Sequence, residues 1–379
     1  MKHSSIISRA CTVSLVALLM LACSTGPTQP EPPAITNGLA ANAAAPALRR
    51  VNDLRTERGP TALLRDEPAA VNVDRLRQAF RSKTPVGKLG LGVYQLTPVA
   101  EVAAAAVNRA ATLGIAAAAK PEVAAGELRP ERPWAKVAVG PNMLLLNGLS
   151  GDENFTNTDL FHRGPGSKSS LSDDEYLTRA NAHAAKILAN GSAVVFGKMF
   201  PYKLRRYMNA VATDGVEPDV DVYQVAVAYN DTIDDIPVIG SGGKVAVHMT
   251  VDGRVVGHEI TVRGVRSKLA AFEWADLTDP EGAQQEIEER LKQRGIDLSQ
   301  FNLTRTEFGY LRRGRNSIQE VVAPHYAFVY EPKPGVMGKK IYETVPATTN
   351  SGLRKILADD ENRDRARKAA LWVAPGARH

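Results

Sequence analysis

A mixed α+β fold, with a helix laid across an antiparallel meander and the arrangement occurring twice, is what this sequence predicts. Two capped amphipathic helical patterns, near 172–190 and 279–295, are each followed by runs of alternating, β-branched residues. An Asp-Gly pair, Asp252-Gly253, stands between two such runs, a strong short-range hairpin signal. Most aromatic and β-branched residues fall between Trp134 and about Thr349, so that is where a core can form.

The elements follow in order. Residues 23–133 are rich in alanine and proline and poor in aromatics, which reads as a tether with loose helices or disorder. Within it, 71–80 could make one short amphipathic turn. The first α+β unit spans 134–275. Its helix opens on a capping box, Ser172 with Glu175, and Tyr176, Leu177, Ala180, Ala184, Ile187 and Leu188 recur at helical spacing. Asn190-Gly191 closes it, since glycine accepts the left-handed conformation at a helix end. The second unit spans 276–349. Asp279 is its N-cap, Pro280 its first helical residue and Gly295 its stop, with Ala283, Ile287 and Leu291 on one face. A helix laid on an antiparallel sheet, used twice, is an α+β arrangement. The segment 350–379 reads as a charged helix with Leu353, Ile356 and Leu357 as its apolar stripe.

The stretch from Tyr229 to Arg263 admits three chemistries. Its glycine run, Gly240-Ser241-Gly242-Gly243, could cradle a phosphate, but such loops run into a helix and this one runs into the alternating "KVAVHMTV". Asp231, Asp234 and Asp235 could hold a cation, but the spacing of a calcium loop is absent and a solvated turn is the ordinary reading. A hairpin fits best. With a two-residue loop, Met249 faces Val256 and Val247 faces His258, so Val245, Val247, Met249, Val256 and Ile260 share one face and His248 lies opposite His258. A three-residue loop changes those pairings. Pro237, lacking an N–H, belongs at a strand start or edge, and Gly240 to Gly243 should bend the chain toward the hairpin.

These residues carry a resemblance. "IPVIGSGGKVAVHMTVDGRVVGHE" resembles the Gly-[Ile/Val]-Pro-Val-x-Gly stretch and following hairpin of the PepSY and FTP families, with Asp235 where glycine is common. Those are cystatin-like helix-plus-sheet modules of bacterial secreted proteins, lipoproteins and metalloprotease propeptides, and the likeness covers about 170–350. It implies a binding fold and no chemistry. Ile236, Pro237, Val238, Gly240, Gly242, Gly243, Asp252 and Gly253 are then the candidate binding or structural loop.

The N-terminus supplies an address. Lys2 and Arg9 precede a short apolar run, Cys11 to Leu21, as in a secretory signal peptide over 1–22. Met20-Leu21-Ala22-Cys23 resembles the bacterial lipobox, which implies cleavage before Cys23 and lipid on its sulfur and amino group. The expected location is the bacterial cell envelope, on the outer membrane if the cell has one and otherwise on the outer face of the cell membrane. Cys11 and Cys23 are the two cysteines, so a processed chain has no intrachain disulfide and no thiol chemistry. The formal charge of +6 drops to +4 without Lys2 and Arg9, too mild to indicate nucleic-acid binding.

Catalytic patterns are absent. No His-Glu-x-x-His or Gly-x-Ser-x-Gly occurs, His325 in "APHYAF" reads as a strand residue, and the oxygen-rich 150–159 reads as an Asx-turn loop. Neither a cofactor nor a metal is expected. Lys203, Arg205, Arg206 and Arg312, Arg313, Arg315 read as solvated faces, or as contacts for phosphate-bearing lipid or polymer. The function expected is that of a non-enzymatic envelope lipoprotein that binds a protein or peptide partner, restraint of an exported protease being one form. The alternative is an envelope scaffold touching anionic lipid or cell-wall polymer through basic faces.

Overall fold

The computed structural model describes residues 73–83, 90–97, 102–115, 122–126, 129–148, 150–161, 171–189, 199–211, 219–314 and 317–372. The signal segment 1–22, Cys23, the tether to residue 72, the Asn190-Gly191 helix end, Arg315 and 373–379 lie outside the described residues. The architecture is mixed α+β, with antiparallel sheets predominating.

Chain order is α1 (Val73–Ser82), β1 (Gly92–Leu96), α2 (Val102–Thr112), β2 (Glu122–Gly126), β3 (Arg129–Val139), β4 (Asn142–Asn147) and β5 (Glu153–Asn157). Then come α3 (Asp173–Ala189), β6 (Phe200–Val211), β7 (Asp219–Asn230), β8 (Thr232–Ile233), β9 (Ile236–Gly240), β10 (Lys244–Met249), β11 (Val255–Ile260) and β12 (Val265–Ala271). The chain closes with α4 (Pro280–Gln293), β13 (Phe301–Arg312), β14 (Val321–Val322), β15 (Pro324–Pro332), β16 (Ile341–Pro346) and α5 (Ser351–Trp372).

An eight-stranded antiparallel sheet runs β2-β3-β4-β5-β11-β10-β7-β6. Helix α2 packs on β3 and β4, and α3 packs on β7 and β10. Ala106 and Ala110 of α2 meet Ala135, Val137, Leu144 and Leu146. Tyr176, Ala180, Ala184 and Ile187 of α3 meet Val225, Val227, Val245, Val247 and Met249. A five-stranded sheet, β16-β15-β13-β9-β8, is covered by α4 through Ala283, Ile287 and Leu291. A three-stranded sheet places β1 between β12 and β14.

The segment read as tether therefore contributes α1, β1, α2 and β2, and residue 133 lies inside β3. Composition misled there because alanine, which buries little area alone, packs well where a helix approaches a sheet closely. Ala106 is fully buried. On α1, Val73, Leu76 and Ala79 are buried and Phe80 stacks on Trp274 at 4.6 Å.

The caps match the sequence. Ser172 N donates to Glu175 at 2.8 Å and Glu175 N to Ser172 Oγ at 3.3 Å. Asp279 accepts from Glu281 N, and Gly295 has φ +76°. The stripe of α5 differs: Leu353 and Leu357 are buried, but Ile356 is 41% exposed. The inward face continues through Asp360 and Asp364, which accept from Glu320 N at 3.0 Å and Ile318 N at 2.9 Å and pair with Arg313. Arg312 is likewise internal, 3% exposed. The expectation that Arg312 and Arg313 form a solvated face fails because both are needed among the carboxylates of the interior.

Candidate functional site

Residues 231–243 leave the eight-stranded sheet and return to it. After β7, Asp231 leads into the β8–β9 hairpin, whose turn residues Asp234 and Asp235 have φ +54° and +58°, the signature of a type I′ turn. Strand β9 then joins the five-stranded sheet parallel to β13, beginning at Val238↔Tyr310. Pro237, second residue of β9, pairs with Thr232 of β8 and stands one residue before the start of the ladder with β13, near the strand start that its missing N–H calls for. Gly240 to Gly243 bring the chain back to β10. A Cβ at Gly240 would lie 2.5 Å from Arg312 O, and one at Gly242 2.5 Å from Arg313 O. Asp231 N donates to Gly243 O at 3.0 Å, closing the neck of the excursion.

The aspartates have separate tasks. Asp231, 1% exposed, stands 3.8 Å from Arg312 rather than in solvent. Asp234 accepts from Tyr94 at 2.5 Å and Tyr310 at 2.7 Å, tying the excursion to β1. Burial, with Asp234 beside it, pushes both tyrosine hydroxyls up.

The hairpin closes differently from the simplest expectation. Thr250 N donates to Arg254 O and Gly253 N to Thr250 O, so Val251-Asp252-Gly253 is a three-residue loop with Gly253 at φ +80°. A bulge at Val256 restores the register, giving Met249↔Val255 but Val247↔His258 and Val245↔Ile260. Val255, not Val256, therefore packs toward α3. Tyr176 donates to Val251 O at 2.5 Å and Arg179 to Asp252 O at 3.0 Å, pinning the loop to α3. Asp252-Gly253 and the glycine run thus lie at opposite ends of β10 and do not form one site.

A different constellation lies under the helices, where β5 meets β11. Arg109 Nε of α2 donates to Glu153 Oε2 of β5 at 2.6 Å, and His258 Nε2 of β11 meets Glu153 Oε1 at 2.6 Å. His258 Nδ1 is 3.0 Å from His183 Nε2 of α3. The Arg109, Glu153 and His258 side chains are 10%, 7% and 0% exposed, and Phe155 lies over the His258 ring at 5.3 Å. Burial opposes ionisation of Glu153, but His258 and Arg109 outweigh it and hold the carboxyl below its usual range. Burial, reinforced by the neighbouring cations, lowers His183 to about 4. Glu153 accepts from both neighbours, so His258 Nε2 carries hydrogen and one proton is shared across the His183–His258 contact.

Sequence reading missed this chain. Glu153 was hidden in the oxygen-rich stretch read as a loop, of which 153–157 is β5, a central strand; only Asn157, accepting from Asp159 N and Leu160 N, makes the Asx turn. The signal for the rest was present. The hairpin register puts His258 beside Val247, on the side facing the helix that carries His183. His248, on the other side, stands near Tyr207, and His325 Nδ1 bonds Ala323 O at 2.9 Å.

Fold and site define an α+β protein of helix-on-meander units with a buried ionic chain at the seam. No family model matches the chain, and no curated protein matches it. The crystal structure of an uncharacterized protein from Eubacterium rectale is similar to it at 9% identity with a TM-score of 0.44, over 73% of this chain and 97% of that one. Among the described residues no helix is long and apolar enough to cross a membrane, and no group of three or more His, Cys, Asp or Glu side chains is placed to hold a metal ion.

Proposed function

We propose that this is a non-enzymatic, lipid-anchored protein of the bacterial cell envelope whose cystatin-like units bind a protein or peptide partner. Restraint of an exported protease is one form that binding would take. The observation that carries the reading is the unit of α3 across β6-β7-β10-β11, its hairpin loop pinned to the helix by Tyr176 and Arg179. Helix α2 on β3 and β4, and α4 on β15 and β16, are further helix-on-sheet contacts that support a repeated layout in this reading. The scaffold alternative loses support, because Arg312 and Arg313 are spent on internal carboxylates and Arg206 on Asp173.

Crosslinking in intact cells followed by capture tests this. A defined envelope or secreted protein retained through a high-salt wash is expected, since exposed charge contacts are screened beyond about 8 Å at physiological ionic strength. Capture lost in salt, or replaced by anionic polymer, overturns the reading. Labelled palmitate should enter the wild type and not Cys23→Ser; equal labelling of both removes the anchor.

A further inference from the structure

We infer that the tip of the β15–β16 hairpin, residues 333–340, is a contact site for an anionic lipid bilayer, Val336 and Met337 entering the interface while the flanking lysines meet the headgroups. The tip has a fixed shape. Val336 N donates to Lys333 O at 3.0 Å and Gly335 has φ +83°, so Lys333-Pro334-Gly335-Val336 is a turn with proline and glycine at its two central positions, as a type II turn prefers. Lys333 N donates to Gln300 O at 2.9 Å, which ties the base of the tip to the segment entering β13. Beyond the turn, Met337 is 100% exposed, whereas the other large apolar residues at the surface, Leu269, Ile356 and Tyr202, reach 49%, 41% and 37%.

A lone exposed apolar side chain is ordinary. What sets Met337 apart is the turn that holds it at the point of a hairpin, and the charge around it. Residues 333–340 contain three lysines and no acid. Lys340 is paired with Glu331 at 2.7 Å, but Lys333 and Lys339 are exposed and have no ion-pair partner among the described residues. Asp297, which senses the charge of Lys333, already accepts from Ser299 N and Gln300 Nε2. A protein partner would seat such an anchor inside a rim that excludes water. Met337 has no such rim, since Gly338, Lys339 and Lys340 beside it are all exposed. A bilayer needs none. Its boundary accepts an apolar tip of any shape, and lysine stems are long enough to keep their ammonium groups at the level of the phosphates. The negative surface potential of anionic lipid then acts on each lysine within a Debye length. A tip this small makes a weak contact, which orients a chain held near a membrane by other means. The inference does not depend on what the α3 unit binds.

Met337→Trp in the full chain, with Cys23→Ser so that lipidation plays no part, places a depth probe at the tip. Its fluorescence, after subtraction of the parent chain, is followed as phosphatidylglycerol or phosphatidylcholine vesicles are added. The introduced indole should shift to the blue and be quenched by brominated acyl chains in phosphatidylglycerol, with little response to phosphatidylcholine. Adding Lys339→Glu should raise the half-saturating lipid concentration at least about fivefold, the factor one lysine contributes near an anionic surface. Ile356→Trp, on the exposed side of α5, is the control and should not be quenched. No shift in phosphatidylglycerol overturns the inference. So do equal responses to the two lipids, equal quenching at positions 337 and 356, or an unchanged midpoint with Lys339→Glu. Burial of the introduced indole by a captured protein and not by vesicles would assign the tip to a protein pocket and likewise overturn it. Because Cys23 is replaced throughout, a failed lipid anchor leaves each of these readouts intact.

Discussion

A glycine can be required by its own φ or by what stands next to it, and the run at 240–243 contains both cases. Gly240 and Gly243 have φ of +89° and +71°, where a side chain is strained. Gly242 has no such φ, yet a Cβ there would lie 2.5 Å from Arg313 O and 3.0 Å from Arg312 Cβ. The sequence showed that the run bends the chain and is not a phosphate loop. It could not show that a second strand would press on it, since β13 lies about 70 residues further on. Gly242→Ala should accordingly destabilise by about 1–3 kcal/mol, the cost of forcing atoms into a packed interior. Gly282, in α4 with nothing within 4 Å of its would-be Cβ, is the contrast. Gly282→Ala should stabilise by up to about 1 kcal/mol, because alanine has the higher helix propensity and Gly282 lies in the first turn, short of the interior where the difference is full. Denaturant midpoints of the two variants check both signs, and equal shifts would refute the close-approach account.

At the scale of elements, what was legible is what local chemistry decides. The caps of α3 and α4, the buried faces of both and the Asp-Gly loop follow from near neighbours in sequence. Strand β5 was illegible because "ENFTN" has poor strand propensity and is ordered by pairing with β4 and β11, an instance of tertiary context overriding preference. Helix α5 was half legible: its helicity was, but the apolar spacing gave Ile356 the same weight as Leu357. In the structure Asp360 and Asp364, both 3% exposed, extend the docking face, because Arg313 and two backbone N–H groups await them. Leu357→Ala should therefore cost about 2–4 kcal/mol, as deletion of a buried leucine typically does. Ile356→Ala should cost under about 1 kcal/mol. Thermal unfolding of both distinguishes the faces, and the reverse order would mean that α5 docks through another side.

At the scale of the whole molecule, protons connect units that share no strand. His183 lies over the eight-stranded sheet and His325 in the five-stranded one, and burial lowers each to about 4; for His325 the hydrogen bond to Ala323 O works weakly the other way. Both are uncharged in the fold and protonated in the unfolded chain below about 6.5. In that interval the unfolded state binds more protons, so stability rises with pH across it and is fully present above about 6.5. As pH falls, each histidine should remove on the order of 2–3 kcal/mol by pH 4, the smaller part from His183, which keeps some solvent contact. The two lie in different units and should act additively. Glu153 and Glu286, whose carboxyls are held low by basic partners against the effect of burial, add a loss only further down, as they are protonated. Equilibrium unfolding of the wild type, His183→Gln, His325→Gln and the double variant between about pH 7 and 4 measures this. Each single variant should flatten the wild-type slope by part, and the double variant should leave little slope above pH 5. A double variant with the full wild-type slope would place the acid sensitivity in the carboxylates instead.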